Sequence, residues 1–233
     1  MKPVSYLLTV FMIPLLAVSQ SVPLNFTIQS GVGLPLGAFA GKNLDGGSFT
    51  LPGLSVSGEI AIQTETVWGA FVQGGIQFNP VDVGALGAEK VKADPFLADV
   101  YIRSEAFRVV HLLAGTVITH KAGGFLVMEY RAGAGAFFSS TPYQYYWPTY
   151  EMLGSNNPYE ISSSRDVSFA GMTGAGIFAS PTGCYRIGLS GQIIHSAAAF
   201  DFVTQSGIRT DKRTITMLNV TASVQITLFS LRK

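Results

Sequence analysis

Across 214–228 the chain alternates strictly. Leu218, Val220, Ala222, Val224, Ile226 and Leu228 fall on one face, and Asn219, Thr221, Ser223, Gln225 and Thr227 on the other. A period of two is the period of a β-strand. The apolar face runs for about ten residues, enough to carry a tilted strand across a hydrocarbon core, while the opposite face is hydroxyl and amide. Such a strand suits a wall with oil on one side and polar filling on the other.

The same alternation recurs upstream. In 26–36, Phe26, Ile28, Val32 and Leu34 oppose Thr27, Gln29, Gly31 and Gly33; in 54–64, Leu54, Val56, Ile60 and Ile62 oppose Ser55, Ser57, Glu59 and Gln63. In 67–78, Trp68, Ala70, Val72, Ile76 and Phe78 oppose Gln73, Gly75 and Gln77. Segment 108–119 carries Val110, Leu112, Ala114 and Ile118 on one face, and 125–138 sets Leu126, Met128, Tyr130, Ala132, Ala134 and Phe138 against Glu129, Arg131, Gly133 and Gly135. Segments 167–179 and 185–196 are weaker, yet Tyr185, Ile187, Leu189 and Ile193 still oppose Arg186, Ser190 and Gln192. About eight strands result, with glycine expected mostly on the inner face, where small side chains let a narrow barrel close.

The connectors alternate short and long. Glu65-Thr66, 121–124 and 181–183 are tight, whereas 37–53, 80–106, 140–166 and 197–213 are extended. Short turns on one rim and long loops on the other are the pattern of transmembrane barrels, and an even strand number puts both termini on the short-turn, periplasmic rim. The last strand should pair with the first to close the ring and remove exposed edges. Within the second long loop 83–92 can form a helical turn, limited by Pro95.

Soluble eight-stranded barrels also alternate, with apolar residues inside and polar residues outside. Charge separates the two architectures. Glu59, Glu129, Arg131 and Arg186 all lie on the polar face, whose other members are Ser, Thr, Gln and Gly, with apolar exceptions such as Leu113 and Ile215. Charged residues make up only 12% of the 233-residue chain, against about 25% in soluble proteins. Hydrophobic residues reach 48%, yet past the N-terminus no apolar run is long enough for a spanning helix.

Residues 1–19 place Lys2 before an apolar segment and end in Ala17-Val18-Ser19, the form of a cleavable secretory signal. Residues 20–233 then form one outer-membrane β-barrel domain. The expected architecture is all-β: a transmembrane antiparallel up-and-down barrel of about eight strands, with long extracellular loops and short periplasmic turns. A net charge of +1 gives no general attraction for nucleic acid. Cys184 is the only thiol and forms no internal disulfide; it reads as a small buried or lipid-facing side chain.

Three stretches resemble outer-membrane β-barrel domain proteins of the Bacteroidota type: Gly53-Leu54-Ser55-Val56-Ser57-Gly58-Glu59; Trp68-Gly69 opening a strand that ends Phe78-Asn79-Pro80-Val81-Asp82; and Leu112-Leu113-Ala114-Gly115. The resemblance covers about 24–230 and implies a barrel class in the Gram-negative outer membrane without an activity. Such barrels commonly finish on an aromatic or apolar residue read by the barrel-insertion machinery during biogenesis. Here Phe229 is followed by Ser230-Leu231-Arg232-Lys233.

Two constellations can carry function. Glu129 and Arg131 share a face with Glu59 and Arg186, and the four can meet inside the lumen. They then form either a gated ionic path or a paired network that plugs a barrel too narrow to conduct; pairing relieves the cost of burying charge and favours the plug. The third long loop gathers Tyr143, Tyr145, Tyr146, Trp147, Tyr150 and Tyr159. These rings either bind a surface glycan or an envelope protein, or belong to the interfacial girdle and fold the loop onto the rim.

Catalysis is not expected. His195-Ser196 is the best nucleophile and base pair available, and adjacent strand residues point to opposite faces. Lipid A deacylase barrels resemble it only coarsely, since their His-x-Ser spacing is absent. His111 and His120 lack metal-ligand spacing and are expected at a rim and at a periplasmic turn. No motif for a metal, phosphate or other cofactor occurs. The expected role is structural or interactive at the cell surface, among outer-membrane lipid. A narrow pore for small solutes is the alternative, and a lipid-modifying enzyme a more distant one.

Overall fold

A computed structural model describes residues 23–63, 67–151, 157–182, 185–204 and 207–229. The expected leader, the Glu65-Thr66 turn, Cys184 and the tail after Phe229 lie outside these residues. Eight strands form the wall: β1 (Leu24–Leu36), β2 (Gly53–Gln63), β3 (Trp68–Asn79), β5 (Phe107–Lys121), β6 (Leu126–Ser140), β9 (Arg165–Thr182), β10 (Tyr185–Thr204) and β11 (Gly207–Phe229). They close into one ring in the order β1-β11-β10-β9-β6-β5-β3-β2. All neighbours are antiparallel, and β1 seals the ring against β11 through pairs such as Ile28↔Val224 and Val32↔Val220.

Alternation sorts the wall as expected. Thr27, Gln29, Ser57, Gln73, Gln192, Asn219, Thr221, Ser223 and Gln225 are buried in the interior, and Ile28, Leu54, Ile60, Val72, Leu112, Ile177, Leu189, Val220 and Val224 stand exposed on the outside. Most strand glycines face inward, where the curved wall crowds side chains. A Cβ on Gly31 would lie 2.0 Å from the Val220 carbonyl oxygen, and one on Gly115 would lie 2.1 Å from that of Ala132. On the convex face, a Cβ on Gly171 or Gly191 would meet nothing within 4 Å.

The long connections depart from the sequence reading, because they fold. Residues 83–93 form a full helix, α1 (Val83–Ala93), started by the Asp82 carboxylate accepting from the Ala85 N–H at 3.0 Å. Three further strands, β4 (Leu97–Ser104), β7 (Gln144–Tyr150) and β8 (Tyr159–Ile161), form a separate sheet in the order β4-β7-β8. Alternation is hidden in β7 because rings occupy both faces. Pro148 stands opposite Val100 of β4 and is tolerated there because β8 pairs only with residues 144–146, so the side of the strand away from β4 has no ladder at that position. The expected long loop at 197–213 is instead strand, since β10 and β11 stay paired from Tyr185↔Ile226 to Thr204↔Gly207.

Candidate functional site: the lumen and its cap

The structure brings all four predicted lumen charges together. Glu129 and Arg131 project inward from β6, Glu59 from β2 and Arg186 from β10. Arg131 donates to the Glu59 carboxylate at 2.8 Å and to Glu129 at 2.6 Å. Arg186 reaches the other oxygen of Glu129 at 3.4 Å and Oε1 of Gln225 at 3.2 Å. Arg131 also lies over the Phe178 ring, 5.8 Å from its centroid. Gln73 extends the polar layer by donating to Ser57 at 3.1 Å and to Gln192 at 3.1 Å. The group sits at the end of the barrel that carries the short turns.

Toward the long-loop end the filling changes character. Val109, Leu113, Phe137, Met172, Ile194, Phe200, Ile215 and Met217 are buried inward-facing side chains of the ring strands, while Phe71 and Val117 of the same cluster lie nearer the short turns. Leu113 and Ile215, exceptions in the polar pattern, are thus members of an apolar plug. Phe39 and Phe49 enter it from the first long connection, and Phe39 meets the Phe107 ring edge-on at 5.3 Å. The same cluster continues into Leu86 of α1 and Val100, Ile102 and Tyr146 of the outer sheet. Lumen and cap therefore share one core.

The predicted aromatic cluster is divided between the two faces of that cap sheet. Tyr146 faces inward, stacked on Tyr159 at 4.7 Å, with the Lys90 ammonium 4.5 Å above its ring. Burial pushes the Tyr146 hydroxyl well above the usual phenol range. Trp147 faces outward beside Tyr101 of β4, its partner in register, and the two are 48% and 66% exposed. Tyr145 lies edge-on to Trp147 at 6.4 Å and opposite Arg103. Tyr143 donates to Glu160, which raises its hydroxyl, while Tyr150 packs half-buried against the core. The outward ledge, with Tyr101 and Arg103, was not readable from the sequence because β4 carries no clear alternation.

At the foot of the cap, Lys42 pairs with Asp82 at 2.7 Å. That hydrogen bond, with the one from the Ala85 N–H, holds the Asp82 carboxyl below the usual range.

The histidines are corrected in part. His111 is not at a rim: it is buried in the lumen against Gly75, and neither ring nitrogen has a hydrogen-bond partner among the described residues. His120 is exposed near the short turn after β5. His195 and Ser196 diverge as strand geometry requires. His195 stands outside with Nδ1 2.9 Å from the Thr216 hydroxyl, while Ser196 turns inward to Ser168 at 2.8 Å. Among the described residues no group of His, Cys, Asp and Glu could hold a metal ion.

No family model matches the chain, and no curated protein does. Solved structures similar in shape include Neisserial surface protein A, at 8% identity and a TM-score of 0.48 over 88% of this chain and 97% of that one. The attachment invasion locus protein Ail of Yersinia pestis follows at 10% and 0.42, over 88% and 97%. A major outer membrane protein from Thermus thermophilus is at 11% and 0.48, over 87% and 98%. The eight-stranded ring itself rests on this chain's own hydrogen-bond registers.

Proposed function

We propose that the chain is an outer-membrane β-barrel of a Gram-negative cell surface, sealed by its own side chains, which acts through its external cap. The observation that carries this is the inverted polarity of the wall. Water would not be faced by Ile28, Leu54, Ile60, Val72, Leu112, Ile177 and Leu189, all exposed, while glutamines and a salt-bridge network fill the inside. A bilayer resolves that inversion, because its hydrocarbon solvates the apolar belt and the closed ring presents no strand edge to it. On this reading the short turns and both termini are periplasmic and the cap is extracellular. The contiguous core from Leu113 to Tyr146 supports a structural and interactive role over conduction or catalysis.

The outward ledge of Tyr101, Tyr145, Trp147 and Arg103 is the surface such a role would use, with a glycan or an envelope protein as partner. Aromatic faces beside a guanidinium suit either. The test is binding of full-length protein in phosphatidylcholine vesicles to a glycan array and to intact cells. Tyr101→Ala/Trp147→Ala removes the ledge and leaves the inner face of the sheet intact. Binding lost in this variant supports the assignment, and equal binding by both proteins removes it.

A further inference from the structure

One outward row of residues crosses the edge of the apolar belt. The registers Leu54↔Phe78, Phe78↔Arg108, Arg108↔Ser140 and Ser140↔Arg165 join β2, β3, β5, β6 and β9 in a single rung. Its first members, Leu54 and Phe78, are apolar; beyond them Arg108 and Arg165 are basic, with Ser140 between. The rung below, Ile76↔Val110, Val110↔Phe138 and Phe138↔Val167, is apolar throughout. The belt therefore ends between these two rungs, and Arg108 and Arg165 stand on its boundary.

Both arginines are exposed, and among the described residues no carboxylate lies within 4.0 Å of either guanidinium. Asp166, next to Arg165, is engaged by the Ala199 N–H at 3.1 Å. Arg108 is steadied over the Phe78 ring, 5.5 Å from its centroid. Two strand spacings separate the two backbones, about 10 Å, so the long side chains can close on one anion with the Ser140 position between them. Guanidinium groups bind phosphate oxygens in bidentate fashion and bring their stems along apolar surface.

We propose that Arg108 and Arg165 form a binding site for the phosphate of a membrane lipid, whose acyl chains lie on Val110, Phe138, Val167 and the exposed Phe169 below. The proposal rests on the membrane reading above. Charge complementarity selects an anionic headgroup, and the apolar rung directly beneath selects a lipid over a free anion.

The experiment is electron spin resonance of the full chain in dimyristoylphosphatidylcholine vesicles, with spin-labelled phosphatidic acid or phosphatidylcholine as probe. The wild-type protein is expected to enrich phosphatidic acid in the motionally restricted component, on the order of fivefold for each arginine. Arg108→Gln/Arg165→Gln should bring it to parity while the restricted phosphatidylcholine stays unchanged, and Lys121→Gln at the opposite rim should retain the preference. Parity in the wild type, or preference surviving in the double variant, overturns the site. Loss of the preference in inorganic phosphate that sodium chloride of equal ionic strength does not reproduce overturns the lipid as ligand. Absence of a restricted component with either probe overturns the membrane reading itself.

Discussion

Arg131 on β6 donates to the Glu59 carboxylate at 2.8 Å across the lumen, three strands away around the ring, while its second nitrogen holds Glu129 at 2.6 Å. One cation thus binds two carboxylates that would otherwise repel in a space from which bulk water is excluded. Arg186 supplies the second positive charge, at the more exposed edge of the group.

Arg131→Met should be far more damaging than its size suggests. It leaves Glu59 and Glu129 buried without their shared cation, a loss of about 3–5 kcal/mol where a buried pair is broken on one side. Urea unfolding of the barrel in detergent should show a lower midpoint. Adding Glu59→Gln and Glu129→Gln to the same variant should recover most of it; a triple variant as weak as the single one would contradict the pairing.

Pure protein in a planar bilayer should give no steady conductance. The polar layer around Arg131 is closed by its ion pairs, and the layer around Leu113, Phe137, Phe200 and Ile215 is closed by packing into the cap. Sustained current from the unmodified chain would reject the sealed lumen.

Glycine positions provide a test of which face is inside. Gly115→Val forces a side chain into the Ala132 carbonyl and should cost about 1–3 kcal/mol or prevent closure. Gly171→Ala meets open space, and its effect should stay within about 0.5 kcal/mol. Thermal melts of the two variants side by side measure the contrast.

Acid should loosen the cap at its helix. Asp82 accepts from Lys42 and from the Ala85 N–H, and its carboxyl is held below the ordinary value of 3.8. A depressed carboxyl contributes stability that is present above 3.8 and lost as pH falls through the lower folded value. Hydrogen exchange at 85–87 should therefore quicken below that value in the native chain, relative to the barrel strands. In Asp82→Asn the same amides should exchange faster at neutral pH and show little further change in acid.

Much of the wall was legible because alternation is local. Each strand reports its own two faces, so Leu218 through Leu228 read as outward and Glu59, Glu129, Arg131 and Arg186 read as sharing an interior without knowledge of any neighbour. The expected short turn at 121–124 falls where β5 gives way to β6, and the first and last strands pair as expected, whereas the expected long loop at 197–213 is strand.

What a face shares with the opposite wall is set by register, shear and the folding of distant segments, none of which leaves a local mark. Only the closed ring decides that Arg131 reaches Glu59, and that Leu113 and Ile215 belong to an apolar plug. His111 is buried because β5 turns it toward Gly75. The cap was read as loops because Tyr145, Tyr146, Trp147 and Pro148 are bulky on both faces, which erases the period of two. Pairing with β4 across more than forty residues gives that segment an inside, where Tyr146 stacks on Tyr159, and an outside, where Trp147 stands beside Tyr101.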